Sequence, residues 1–161
     1  MLKYGKFKTS DHYQTPLEYL AVINPYIPEG LTINDPFYMN GKVEDTWALL
    51  GRDIVHENND FFKLEPNDKS EIYVSNPPFS KVNKILKHLF YLNKPWALLL
   101  PMNKIAQLKV QRILKDKDIQ VIISPVYTGF ILPSGEKTKR TPQYMCWLCF
   151  AMNLKRDFMY I

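Results

Sequence analysis

Apolar positions along this chain alternate between a helical spacing and an extended one. Thr15 followed by Pro16 reads as an N-cap with proline at the first helical position. Leu17, Leu20 and Ala21 then carry an apolar face until Pro25 ends it. Residues 31–34 form a short strand that ends in a turn over 35–41. The next helix has Val43, Trp47 and Leu50 on one face and is stopped by Gly51. Strands are expected at 53–56 and at 71–75, the second broken by Asn76-Pro77-Pro78. Ser80 can cap a helix in which Val82, Ile85, Leu86, Leu89 and Phe90 recur at helical spacing. The run 96–100 is continuously apolar, as a fully buried parallel strand is, and 103–115 is amphipathic. Three further strands are expected at 119–123, 126–132 and 144–152, the last two as an antiparallel pair. This order predicts an α/β fold, a doubly wound and mostly parallel sheet closed by a C-terminal antiparallel hairpin.

Composition adds limits. The 161 residues are 46% hydrophobic and 23% charged, which suits one globular domain spanning 1–161 with no repeat or long linker. The longest apolar run is far too short to cross a bilayer, and the basic N-terminus leads into no apolar signal region. A cytosolic or nuclear location is therefore expected. Cys146 and Cys149 form a C-x-x-C, but it lies in a strand pattern where residues three apart face opposite ways. They are expected to be plain buried thiols, and no metal site is expected.

The formal net charge is +5, compatible with a polyanionic partner. Lys137, Lys139 and Arg140 fall in one segment flanked by prolines, and Lys104, Lys109, Arg112 and Lys115 lie along one predicted helix. These are candidate phosphate contacts; a solvated surface is the competing reading.

Ligands of open α/β sheets sit beyond the carboxyl ends of the strands, and three polar segments are expected there. They are Asp35 to Gly41, His56 to Phe62, and Asn76-Pro77-Pro78-Phe79. In the last, prolines fix an extended backbone. The Asn76 carboxamide oxygen and the Pro77 carbonyl can then accept both hydrogens of a primary amine. Phe79 supplies a flat face for an extruded base. Accepting both hydrogens draws the nitrogen lone pair out of conjugation and aims it at a methyl donor, so orientation does most of the work. A rigid proline turn without chemistry is the competing reading.

Asn-Pro-Pro-Phe after an apolar strand resembles the catalytic motif of N6-adenine methyltransferases, D/N-P-P-Y/F/W. Asp35-Pro36-Phe37 with Gly41 is similar to their methionine-binding loop, and Tyr13-Gln14-Thr15-Pro16 to an upstream Y-x-T-P segment. The three occur in the unpermuted order, over roughly residues 11–101. The resemblance implies a Rossmann-like class I methyltransferase sheet, S-adenosylmethionine as cofactor, and methylation of the exocyclic N6 amine of adenine in DNA or RNA. The adenine would be flipped out or single-stranded. Asn76, Pro77, Pro78 and Phe79 would be catalytic. Asp35 would face the methionine amino group, with Pro36, Phe37 and Gly41 shaping the loop. Tyr13 and Thr15 would lie with the cofactor, Thr15 helping to hold its carboxylate. Glu57 would take the ribose hydroxyls, with His56 as its rival, while Asp60 would bond the cofactor's adenine and Phe61 pack on its ring.

The chain departs from the pattern in two ways. Asn40 stands near Gly41 where many members have a second glycine, and no sizeable target-recognition domain follows. Substrate reading is left to the N-terminal arm, to 103–112 and to 134–141, with the DNA or RNA choice open. A homodimer or a partner subunit could supply the rest. The competing functions are a non-catalytic nucleic-acid-binding subunit with the same fold, and a glutamine-amide methylase of protein substrates. The latter group generally has tyrosine where Phe79 stands.

Overall fold

The computed structural model describes residues 13–37, 41–132, 134–139 and 143–161. Its elements follow in order as β1 (Ile33–Asn34), β2 (Ile54–Val55), β3 (Ile72–Ser75), β4 (Trp96–Pro101), β5 (Ile119–Ile123), β6 (Met145–Phe150) and β7 (Phe158–Tyr160). The helices are α1 (Leu17–Ile23), α2 (Val43–Ala48), α3 (Val82–Leu92), α4 (Met102–Ile105) and α5 (Leu108–Leu114). Among the described residues the strands form one seven-stranded sheet in the order β2-β1-β3-β4-β6-β5-β7. β1 to β4 are mutually parallel, β6 runs antiparallel between β4 and β5, and β7 lies parallel beside β5.

Alternation within the strands fills two apolar layers, one on each face. Ile72, Val74, Ala97, Leu99, Trp147 and Cys149 face α1 and α2, packing with Tyr19, Leu20, Ile23 and Trp47. Tyr73, Trp96, Leu98, Leu100, Cys146 and Leu148 face α3 and α5, packing with Val82, Ile85, Leu86, Leu89 and Val110. Both cysteines are thus buried and free, one in each layer, as strand geometry requires. α3 ends where Asn93 takes a left-handed conformation (φ 52°), ahead of Pro95. At the amino edge of the sheet, Lys94 pairs with Asp68 at 2.7 Å and the buried Tyr73 hydroxyl donates to the same carboxylate. This closes the loop before β3 onto the start of β4. Among the described residues, no helix is long and apolar enough to cross a membrane.

Four expectations need correction. The segment 126–132 is not a strand, and β6 instead pairs with β4 and β5. Pro125 and Gly129 break its ladder. A Cβ at Gly129 would lie 1.6 Å from the Thr138 carbonyl oxygen, so the chain there packs backbone against backbone. Only Ile131 makes ladder contacts, as isolated bridges to Gln14 and Lys137. Second, the amphipathic stretch 103–115 is two helices, α4 and α5, parted where Gln107 is extended. Gln111 Nε2 donates to the Ala106 carbonyl at 2.8 Å across the break. Third, α1 starts after Pro16, which holds the N-cap position, so Thr15 lies just outside the helix. In the same way Ser80 sits in the 3-10 turn Phe79–Lys81, and Lys81 precedes α3. Fourth, β7 was not expected. It pairs in parallel with β5, and Gln120 secures the connection before it by bonding the Leu154 backbone in both directions at 2.9 and 3.0 Å.

Candidate active site

β1 and β3 are neighbours in register, Ile33 opposite Ile72 and Asn34 opposite Tyr73, so their carboxyl ends emerge together. The residues that follow them are Asp35 and Asn76. The Ser75 hydroxyl donates to Asp35 Oδ1, tying the two loops to each other. On the other side, the Asp35 N–H bonds to the Val55 carbonyl at 3.0 Å, and His56 Nδ1–H donates to the Asp35 carbonyl at 2.7 Å. Three strand ends thus converge on one residue, Asp35, whose carboxyl group is buried. Burial pushes Asp35 up to about 6 from the ordinary 3.8, against the opposing pull of the Ser75 hydroxyl and of His56.

Asn76 is buried, and its Oδ1 has no hydrogen-bond partner among the described residues. Leaving such an acceptor dry costs about 1–3 kcal/mol. Pro77 is buried beside it, and Pro78 turns the chain into Phe79–Lys81. Phe79 is half-buried and touches both apolar layers at the sheet's edge.

The upstream segment joins the same edge. Gln14 Nε2 donates to the Lys42 carbonyl at 3.2 Å and to Thr46 Oγ1 at 3.1 Å, which fixes residues 13–16 against the turn containing Gly41. Gly41 has φ 75°, the left-handed region where a side chain is disfavoured. Thr15 is buried, and Tyr13 stacks on Phe130 with ring centroids 6.5 Å apart. Pro36 is buried and Phe37 half-buried.

The segment after β2 is less open than the sequence implies. His56 is buried and engaged beneath Asp35. Glu57 is exposed and accepts from Asn59 Nδ2 at 2.6 Å. Asp60 is exposed and caps its own turn, its Oδ1 accepting from the Phe62 N–H at 3.1 Å. Phe61 is core, packed against Phe37 and His88 at 5.0 and 4.9 Å, so the partly exposed ring beside Asp60 is Phe62.

The basic residues do not form one face. Lys104 lies on α4 directly after β4, at the carboxyl edge, while Lys109 and Arg112 are exposed on α5. Lys137 is paired with Glu18 at 2.7 Å, and that contact holds the Glu18 carboxyl below its ordinary value. Lys139 is exposed, and Arg140 lies outside the described residues, as do Asn40 and the first twelve residues.

Two supporting residues escaped the sequence reading. Ser75 was passed over as a strand residue, although a hydroxyl inside an apolar strand is itself a signal. Gln14 was absorbed into a motif without a role of its own.

No protein-family profile and no curated protein sequence matches the chain. Among solved structures it is similar to a SAM-dependent O-methyltransferase from Thermotoga maritima, with a TM-score of 0.50 at 11% identity over 86% of this chain and 66% of that one. It is also similar to a TehB-like SAM-dependent methyltransferase from Corynebacterium glutamicum, with a TM-score of 0.47 at 8% identity over 85% and 88%. A third likeness is to the S. pombe Dnmt2 methyltransferase, with a TM-score of 0.43 at 13% identity over 88% and 48%. The Thermotoga likeness and the strand order together show an α/β, Rossmann-like methyltransferase fold, mostly parallel with an antiparallel insertion.

Proposed function

We propose that this chain is an S-adenosylmethionine-dependent methyltransferase acting on the N6 amine of adenine in DNA or RNA. The observation that carries the reading is the buried, unpartnered Asn76 Oδ1 at the end of β3, one residue from the serine that holds Asp35.

The residues present suit the cofactor. Asp35 is a buried carboxyl group pushed toward its neutral form, and a cationic amine beside it would restore the charge. The left-handed conformation of Gly41 suits a close approach of backbone to a ligand. When bound, the cofactor supplies an electrophilic methyl on a sulfonium. This chain would do the rest by placement. Asn76 Oδ1 and the Pro77 carbonyl would accept the two amine hydrogens, and Phe79 would cover the ring of the base. The lone pair then points away from the ring, and no strong base is required. Thr15, Tyr13 and Pro36 would border the methionine portion. Glu57 and Asp60 would take the ribose and the cofactor's adenine, with Phe62 rather than Phe61 offering the exposed ring.

The test is transfer of labelled methyl from S-adenosylmethionine to DNA and to RNA, followed by nucleoside analysis. Label in N6-methyladenine that falls about 100-fold or more in Asn76→Ala is expected. Incorporation unchanged by Asn76→Ala and Phe79→Ala would defeat the reading.

A further inference from the structure

The connection 124–144 leaves and rejoins the sheet at its carboxyl edge. The Ser124 N–H bonds to the Met145 carbonyl at 3.1 Å, and the Met102 N–H to the Tyr144 carbonyl at 2.8 Å. Some of its apolar groups are spent on packing. Phe130 is buried with its ring stacked on Tyr19 at 5.3 Å, and Val126 packs against the inner layer. Two aromatic residues are not. Tyr127 is 49% exposed and Tyr144 is 75% exposed. Their rings nevertheless lie 5.6 Å apart at 32° to each other. The contact fixes two side chains from opposite ends of the connection in one orientation and leaves large ring area in water.

Register locates this pair relative to Asn76. Ser75 is opposite Leu98 and Met145 is opposite Pro101. Tyr144 therefore stands two strand spacings across and three residues beyond Asn76, about 14 Å away. That is too far to touch a base held at Asn76 and Phe79, and within reach of a neighbouring nucleotide. Lys104 follows Met102 by two residues on α4 and brings a positive charge to the same edge of the sheet. Aromatic faces interleaved with cations suit an unpaired, phosphate-linked strand, because an unpaired base has a free face and its backbone is anionic.

We propose that Tyr127 and Tyr144 form a stacking platform for a base flanking the target, so that the substrate is a single-stranded nucleic acid. The identity of the strand as a substrate rests on the adenine-methylation reading; the platform itself can be tested without it. Fluorescence anisotropy would follow a labelled adenine-containing oligonucleotide, as single-stranded DNA and RNA, as duplex, and with abasic sites at the bases. Removing both rings, Tyr127→Ala with Tyr144→Ala, should weaken single-strand binding about 5- to 150-fold, and tryptophan at both positions should restore it. Duplex and abasic strands should bind the native protein more weakly than the intact single strand.

Four results would overturn the platform. They are unchanged affinity in the double alanine variant, equal binding of the abasic strand, a preference for duplex, or no single-strand binding at all. Loss of a dimer in the alanine variant, seen by sedimentation, would assign the rings to self-association and overturn it too. Methylation of adenine with ring-independent binding removes the platform alone. Ring-dependent binding without any methyl transfer keeps the platform and removes the enzymatic reading.

Discussion

Replacing Asp35 by asparagine should make the ligand-free protein more stable at neutral pH. Burial raises the Asp35 carboxyl from the ordinary 3.8 to about 6, because ionising it without solvent is costly. Below pH 4 the folded and unfolded chains both keep the proton, and no penalty exists. Between about pH 4 and 6 the unfolded chain ionises first, so native stability falls as the pH rises. Above pH 6 both are ionised and the full penalty remains. At 1.36 kcal/mol per pH unit it reaches about 3 kcal/mol. Asparagine keeps an oxygen for the Ser75 hydroxyl and cannot ionise, but its amide hydrogens need acceptors and offset part of the gain. The net gain at pH 7.5 should be about 1–3 kcal/mol, or about 3–10 °C in Tm.

Thermal unfolding by circular dichroism from pH 3.5 to 8 checks this without any ligand. Tm of Asp35→Asn should exceed that of the native protein above pH 6, and the excess should disappear as the pH falls to 3.5. No gain at pH 7.5, or a gain independent of pH, would refute the reasoning. The cofactor reading adds a crossing. A ligand amine beside Asp35 would stabilise only the ionised form, so S-adenosylmethionine should raise Tm of the native protein and leave that of the variant unmoved. Its affinity for the native protein should also rise with pH up to about 6.

Gly129→Ala places a Cβ against the Thr138 backbone, which cannot rotate aside, so it should cost about 2–3 kcal/mol. Limited proteolysis should then cut faster within 124–144. Burial would raise Asp68, but Lys94, Tyr73 and Ser70 outweigh it and hold the carboxyl below its ordinary value. Lys94→Met should therefore cost about 1–3 kcal/mol at pH 7 in urea unfolding, with the deficit shrinking as the pH drops below 4. Burial pushes the Cys146 thiol up to about 12 and Cys149 higher still, so neither should react with a thiol reagent at pH 8 until the protein is unfolded.

The parts of the fold visible in the sequence are those where one face must be buried. β5 was expected at its observed bounds, and β3 and β4 to within a residue, because each is a mainly apolar run between polar or proline stops. The division of Cys146 and Cys149 between opposite layers followed from strand geometry alone. The failures have physical causes. No glycine or proline marks the break at Gln107, so a continuous amphipathic pattern hid two helices. In 126–132 the apolar residues Phe130 and Ile131 serve an arm folded on α1 and on residue 14, and composition cannot tell an arm from a strand. β7 shows exposed Phe158 and Tyr160, and the connection before it is tied down by a side chain, Gln120, from another strand. At the candidate site the loops were legible and the side-chain couplings were not. That Ser75 would join Asp35, or that Phe61 would turn inward and leave Phe62 outside, depends on register between strands far apart in sequence.

Two features of the carboxyl edge oppose folding, and their proximity is informative. The Asp35 carboxyl is buried with its charge disfavoured, and Asn76 Oδ1 is buried with no donor. Other polar groups are closed, Asp68 by Tyr73, Lys94 and Ser70 and Gln120 by the Leu154 backbone, while the buried side chains of Asn83, His88 and Trp96 each also keep an atom without a partner among the described residues. What sets Asp35 and Asn76 apart is their place at adjoining strand ends, and leucine at either site would avoid the penalty. A positive or hydrogen-bearing nitrogen from a ligand would complement each of them. Ser75 ties them together, because it ends the strand that Asn76 follows and donates to Asp35. Replacing Ser75 by alanine should therefore act on both requirements at once, weakening S-adenosylmethionine binding and lowering methyl transfer further than the affinity loss alone explains. If the variant loses affinity but transfers at the native rate when saturated, the two groups are independent, and the bond between them is only structural.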